Sequence, residues 1–490
     1  HNRYNINVSQ SIGNFGTYLT NIGLDAGGDR LQAGLKGFFA TSKNDFTFIN
    51  IDKPGAPEET RKHAGYQNTG FLQEIHYKIS NNFILSVYSW NQWNNRDIPE
   101  PTVVIPGEEK QYQENVFSRN ILEGKWIFRN GMINVKSGYI FDDLKYVNQI
   151  NGTSSQNTVR TMTFKVQSLY NLLKSLDLNF FLSNYYDEAS SNHYEGLKRR
   201  NAINAGLGIK YNIRNRLSGT FYLNEKLLDG NASPVLPSLS LKYYPLQNNH
   251  WHMFGSVARN YNYPSLNDLY WGFDGFARGN SDLQAEEGWN FESGFGYRHK
   301  TEFLNVSLSG FYTIINDHIF WAPISDDAVF WTPQNIKQLI SRGFDVSLKS
   351  SSKIAKLNLD FQAGYQYVVS TNAVATSEED KSAGKQLIYT PRHQAQFNMF
   401  LDIQNYFLDA SFQFMGNRYT TTDNSRYLPS YWLSDLSFSK KVMIKMNVFT
   451  IGLKVNNLFD VNYRIIAKQP MPGRNYVVSI SWNISKNQDK

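Results

Sequence analysis

Strict two-residue alternation, repeated from one end of the chain to the other, constrains this sequence most. Leu357, Leu359, Phe361, Ala363, Tyr365 and Tyr367 alternate with Asn358, Asp360, Gln362, Gly364 and Gln366. Tyr476, Val478, Ile480, Trp482 and Ile484 alternate with Val477, Ser479, Ser481 and Asn483. Residues two apart share one face of an extended strand, so each segment has an apolar side and a more polar one. Glycines and β-branched residues within these segments argue against helix. About 22 such segments fit between Tyr4 and the C-terminus, many of them longer than the 9 to 11 residues that cross a bilayer at a tilt.

The connections differ in length. Tight links are expected at 79–82, 129–132, 173–175, 212–216, 245–250, 299–302 and 403–405. Long ones are expected at 43–64, 96–111, 148–157, 189–199, 263–287, 316–333, 370–388, 418–429 and 459–473. Alternation of long with short puts every long loop at one rim of an even-stranded barrel. No repeat of 40 to 50 residues with a common motif supports the competing soluble propeller.

Composition fits the same reading. Among the 490 residues, 33 Phe, 30 Tyr and 10 Trp raise the aromatic share to 15%, yet mean hydropathy is −0.47. A wall that is apolar outside and polar inside has this average, with Tyr and Trp suited to the membrane interfaces. No stretch has the ~20 apolar residues of a membrane helix. The expected fold is therefore all-β, a transmembrane antiparallel β-barrel occupying residues 1–490 as one domain. The absence of cysteine removes thiol nucleophiles, disulfides and cysteine-based metal sites. Net charge is +7, but Lys and Arg are scattered among 42 acids, so no nucleic-acid partner is expected. The N-terminus shows no signal-peptide pattern, which reads as a mature or truncated chain.

A 22-strand barrel belongs to the plugged width class. The sequence starts almost directly at a strand, so the plug is expected either as a separate piece or as another part of the same precursor. No Gly-x-Ser-x-Gly elbow, His-Glu-x-x-His or phosphate loop is found, and no catalytic residue is expected. No cofactor or metal is expected either. Glu108-Glu109, Asp326-Asp327 and Glu378-Glu379-Asp380 lack the compact six to eight oxygens that calcium requires.

Three sets of residues carry a family resemblance. They are Gly13-Asn14-Phe15-Gly16-Thr17; Tyr263-Pro264-Ser265-Leu266-Asn267-Asp268-Leu269-Tyr270, followed by Gly279-Asn280-Ser281-Asp282-Leu283 and Glu286; and Val455-Asn456-Asn457-Leu458-Phe459-Asp460 with Tyr463, then Pro470-Met471-Pro472-Gly473-Arg474 and the aromatic last strand. In this order they resemble the barrel domain of TonB-dependent outer-membrane transporters. Taken alone, these residues read as turn-formers and strand closers.

The resemblance implies a bacterial outer-membrane location with extracellular long loops and contact with lipid. It also implies active uptake of a scarce, large small-molecule ligand, a plug pulled by the TonB complex, and in some systems a surface lipoprotein over the loops. Without a plug, the 490 residues are expected to bind ligand in part but not to transport it alone. Phe320-Trp321-Ala322-Pro323 and Trp331-Thr332-Pro333-Gln334-Asn335 resemble the cobalamin branch; ferric siderophores and haem are the alternatives. Loop 264–279 contains no histidine for haem, while His318 stands in the next long loop. Other classes kept open are a passive porin and a structural barrel scaffolding a surface lipoprotein. The expected ligand contacts are Trp90, Trp93, Arg96, Tyr270, Trp271, Phe273, Trp321 and Trp331, because aromatic faces with a few polar groups suit a concave site. For each of them, loop packing or interface anchoring is the plainer role.

Overall fold

The computed structural model describes residues 3–486 except 106, 109, 214–215, 247–249, 273–276, 324–330 and 376–379. One antiparallel sheet forms the body. Its pieces comprise 22 barrel strands and a two-residue extension, Asn231–Ala232, hydrogen-bonded to the strand Leu217–Leu228. The sheet closes because the first strand, Arg3–Gly13, pairs with Thr17–Gly27 on one side and with the last strand, Asn475–Lys486, on the other. Closure leaves the body no open edge, as a hydrocarbon surround demands. Among the described residues, no helix is long and apolar enough to cross a membrane.

The wall is inverted relative to a soluble protein. Ile480, Val478 and Leu207 are each half or more exposed and face outward. Their alternates form polar chains on the inner face. Asn483 donates to Asn5, Asn5 donates to Asp25, and Lys36 is paired with Glu74 at 3.0 Å. Farther round the lumen, Glu123 accepts from Asn134 at 2.6 Å and lies 3.4 Å from Lys136.

The tight turns 28–30, 79–82, 129–130, 174–175, 355–356, 404–405 and 445–446 fall on one rim, and the long loops on the other, together with the short turns 14–16 and 149–152. Two expected loops prove shorter. Segment 148–157 is a hairpin whose pairing begins at Thr153 with Asn148. Most of 316–333 belongs to the paired strands Leu304–Pro323 and Trp331–Ile354, which keep their register up to Pro323 opposite Trp331. Pro323 and Pro333 are tolerated in it because this hairpin rises beyond the neighbouring strands, where a proline costs no continuous ladder.

Candidate functional site

At the long-loop rim, the strand Trp251–Asn262 ends just before Pro264, and Ser265 caps the short helix Leu266–Tyr270. The Ser265 hydroxyl accepts from the Asp268 amide at 3.1 Å, and Asp268 Oδ2 accepts from the Ser265 amide at 2.8 Å. The other oxygen of Asp268 accepts from Trp321 Nε1 at 2.9 Å, and its backbone carbonyl accepts from the Asn280 amide at 2.7 Å. One carboxylate thus joins the helix to the tall hairpin.

The chain then folds back closely. Gly279 donates to the Trp271 carbonyl, and a Cβ there would stand 2.7 Å from Trp271 N; at Gly272 a Cβ would stand 2.4 Å from the His193 carbonyl oxygen. Only glycine fits either approach. His193 stacks on Trp271 at 4.7 Å, Lys198 Nζ lies 4.5 Å from the centroid of the Tyr270 ring, and the Tyr194 hydroxyl donates to Asn267. Burial pushes the Tyr194 phenol above its ordinary value. From the hairpin, the Trp331 carbonyl accepts from the Arg278 amide at 2.9 Å, and Asn335 exchanges hydrogen bonds with Gln284. His318 lies 2.7 Å from Glu286, which also accepts from the Ile319 amide.

Tyr270, Trp271, Trp321 and Trp331 therefore belong to one platform built from three connections, with Trp331 half exposed. Phe273 lies outside the described residues, as do Glu109, Asp326, Asp327, Glu378 and Glu379. Asp380 accepts from the amide and hydroxyl of Ser382. No group of three potential metal ligands occurs among the described residues. His193 and Tyr194 were missed from sequence, where nothing marks them apart from other loop residues.

Trp90, Trp93 and Arg96 sit on the strand Phe83–Ile98 rather than on a loop. Trp90 has the lumen parity of Ser86, which hydrogen-bonds His76, and meets Phe117 and Arg119. Trp93 has the opposite parity, lies against Phe71 and faces outward, the position of an interface anchor. Arg96 donates to Gln113 at 2.7 Å. The expected set thus divides into the platform and a separate sector of wall.

Between the loops lies a buried polar weld that sequence did not indicate. Asn50, fully buried, donates to Glu59 and to the Thr102 carbonyl. Arg61 donates to the Glu100 carbonyl at 2.7 Å and to the side chain of Gln469. Arg464 donates to Asp52 at 2.6 Å, and Arg418 donates to the Arg464 carbonyl. Burial, with the Arg464 charge nearby, pulls Arg61 down to about 10.

Burial pushes the Asp52 carboxyl up, but hydrogen bonds from Thr102 and Arg464 outweigh it and bring the group below the ordinary 3.8. A lowered folded value means that the stabilisation is complete above the ordinary value and is lost as pH falls through the folded one. Pepsin cleavage within 43–65 is expected to appear only as pH falls below the ordinary carboxylate value of 3.8, while the barrel strands stay resistant.

A closed 22-strand barrel with aromatic loops gathered at one rim defines the class of outer-membrane receptor barrels. The chain belongs to the family described as TonB dependent receptor-like, beta-barrel, whose model matches residues 3–458. Its place is the bacterial outer membrane, with the long loops extracellular. It is 28% identical over 208 residues to the vitamin B12 transporter BtuB of Photobacterium profundum, a match spanning 42% of this chain and 30% of that protein. It is 25% identical over 209 residues to BtuB of Vibrio vulnificus, spanning 43% and 30%. These matches thus span under a third of each relative's length.

Among solved structures, the FrpB iron transporter of Neisseria meningitidis superposes with a TM-score of 0.77 at 12% identity, over 98% of this chain and 81% of that one. The siderophore receptor PirA of Acinetobacter baumannii gives 0.76 at 14% identity, over 99% and 80%. The copper transporter OprC gives 0.75 at 12% identity, over 99% and 81%. At these identities the likeness is one of fold.

Proposed function

We propose that this barrel imports a scarce, large ligand, captured on the platform of Tyr270, Trp271, Trp321 and Trp331, and that the ligand is cobalamin or another corrinoid. The platform carries the reading: broad ring faces, that of Trp321 held by Asp268, suit a wide, partly apolar molecule with amide and hydroxyl edges. The partial matches to two vitamin B12 transporters support the ligand assignment. Opening of the bore is assigned to a plug, from the same precursor or a separate chain, pulled by the TonB complex; a surface lipoprotein over the long loops is a further proposed partner. Residues 1–490 are taken as one barrel domain without catalysis.

A ferric siderophore is the second reading, favoured by fold neighbours named as siderophore receptors. Native mass spectrometry of the protein from its own outer membrane decides between the two. A corrinoid mass retained and displaced by cyanocobalamin supports the first; an iron chelate retained with cobalamin ignored supports the second.

Replacing Asp268 with Ala removes the acceptor of the Trp321 indole and the reciprocal cap together. Ligand affinity is expected to fall about tenfold, near the cost of one hydrogen bond to a charged group. Isothermal titration with cyanocobalamin measures it, and unchanged affinity removes Asp268 from the site.

A further inference from the structure

The outer wall is uneven. The strands Glu286–Arg298, Trp331–Ile354 and His393–Ile403 present Phe291, Phe295, Phe344 and Phe397 outward, all well exposed. On the strands Tyr66–Lys78, Phe83–Ile98 and Gln111–Phe128 the same parity brings out Gln73, Ser89, Asn91, Ser118 and Asn120. Their neighbours on that face are Ile75, Val87 and Leu122, each more than 40% exposed, which fixes the face as the outer one.

These groups form a ladder: Ser89 donates to Asn120 at 2.7 Å, Asn91 donates to Ser89 at 3.1 Å, and Asn120 donates to Ser118 at 3.0 Å. Gln73, register partner of Ser89, is exposed and makes no side-chain hydrogen bond among the described residues. Counted from the tight-turn rim at about 3.3 Å per residue and a 40° tilt, the positions from Gln73 to Asn120 lie roughly 13 to 20 Å up a band about 25 Å tall. Beside the ladder runs an outward groove of about 580 Å³ between Val87, Leu122, Tyr139, Met162 and Phe164, floored by Ser137, with Met162 standing 61% exposed at its edge.

Amides facing hydrocarbon retain donors and acceptors that acyl chains cannot meet. Between membrane helices, small and polar side chains are the usual composition of protein contacts, and a barrel wall that carries them offers the same kind of surface. We propose that this wall is the interface with a second copy of the same chain. The patch carries no net charge, and each amide both donates and accepts, so the surface is its own complement, as a two-fold contact requires. The Met162 knob beside the groove adds a shape that a two-fold axis can insert into the partner's groove.

The chain has no cysteine, so single thiols report cleanly. In native outer membranes, Ser89→Cys and Asn120→Cys treated with a short bis-maleimide are expected to give a product of twice the protein's mass. Phe397→Cys on the aromatic wall is expected to give none. A second measurement uses the triple variant Gln73→Leu, Ser89→Leu and Asn120→Leu. Its dimer fraction in native mass spectrometry is expected to fall about tenfold, with the heat-modifiable gel shift of a folded barrel retained. No doubled mass at either thiol, a product of another mass, or an undiminished dimer in the triple variant overturns the proposal; a product of another mass points instead to a different membrane protein.

Discussion

Ile480→Arg is expected to destabilise the barrel by about 2–4 kcal/mol, while Ser481→Arg, one residue along, changes stability by under about 1 kcal/mol. Both residues lie on the closing strand, and each is held by two neighbours: Ile480 faces Gln10 and Ile451, and Ser481 faces Ser9 and Thr450. Neither substitution removes a ladder hydrogen bond. Only direction differs. Ile480 points to lipid about six residues from the tight-turn rim, where a guanidinium cannot readily reach water, whereas Ser481 points to the lumen with Asn483. Unfolding by guanidinium in lipid vesicles gives both values. Equal costs at the two sites would remove the inside-out assignment of the wall.

The second large effect concerns the loop weld. Asp52→Ala leaves the Arg464 guanidinium, only 8% exposed, without its carboxylate. Loss of one partner of such a pair costs about 3–5 kcal/mol, and the lower end applies because Asp52 is one-fifth exposed. The cost is local, since the ladder strands do not depend on this contact. Amide exchange at Asn50 and Thr102 is expected to accelerate about a hundredfold, with exchange in Asn475–Lys486 unchanged. Asp423→Ala serves as the control. Its carboxyl is held down to about 2 by Thr421 and Ser425, but these are bonds within one exposed turn, and no change in the weld is expected.

The strands were legible because a two-sided wall writes its faces directly into the sequence, as in Leu357–Tyr367 and Tyr476–Ile484. Rim assignment followed from loop lengths. Asp268 was also within reach, since Ser265-x-x-Asp268 after Pro264 is a capping pattern, although its bond to Trp321 depends on how far the tall hairpin extends. That extension was not legible: Asp317, with φ 54, and the prolines at 323 and 333 look like loop, yet pairing resumes past them. Trp93 required a register count from Ser86, because Trp90 and Trp93 are separated by an odd step and so face opposite ways. The weld was beyond reach for a different reason. Arg61 and Gln469 are 408 positions apart, and a lone arginine in a polar loop looks the same whether it is solvated or buried.

The inside-out wall is defined by the side chains that meet lipid, and nitroxide scanning from Tyr476 to Ile484 in bilayers reads them out. Oxygen collision rates are expected to peak at 476, 478, 480, 482 and 484 and to fall at every odd position between them. Peaks at the odd positions, or rates without a two-residue period, would contradict it.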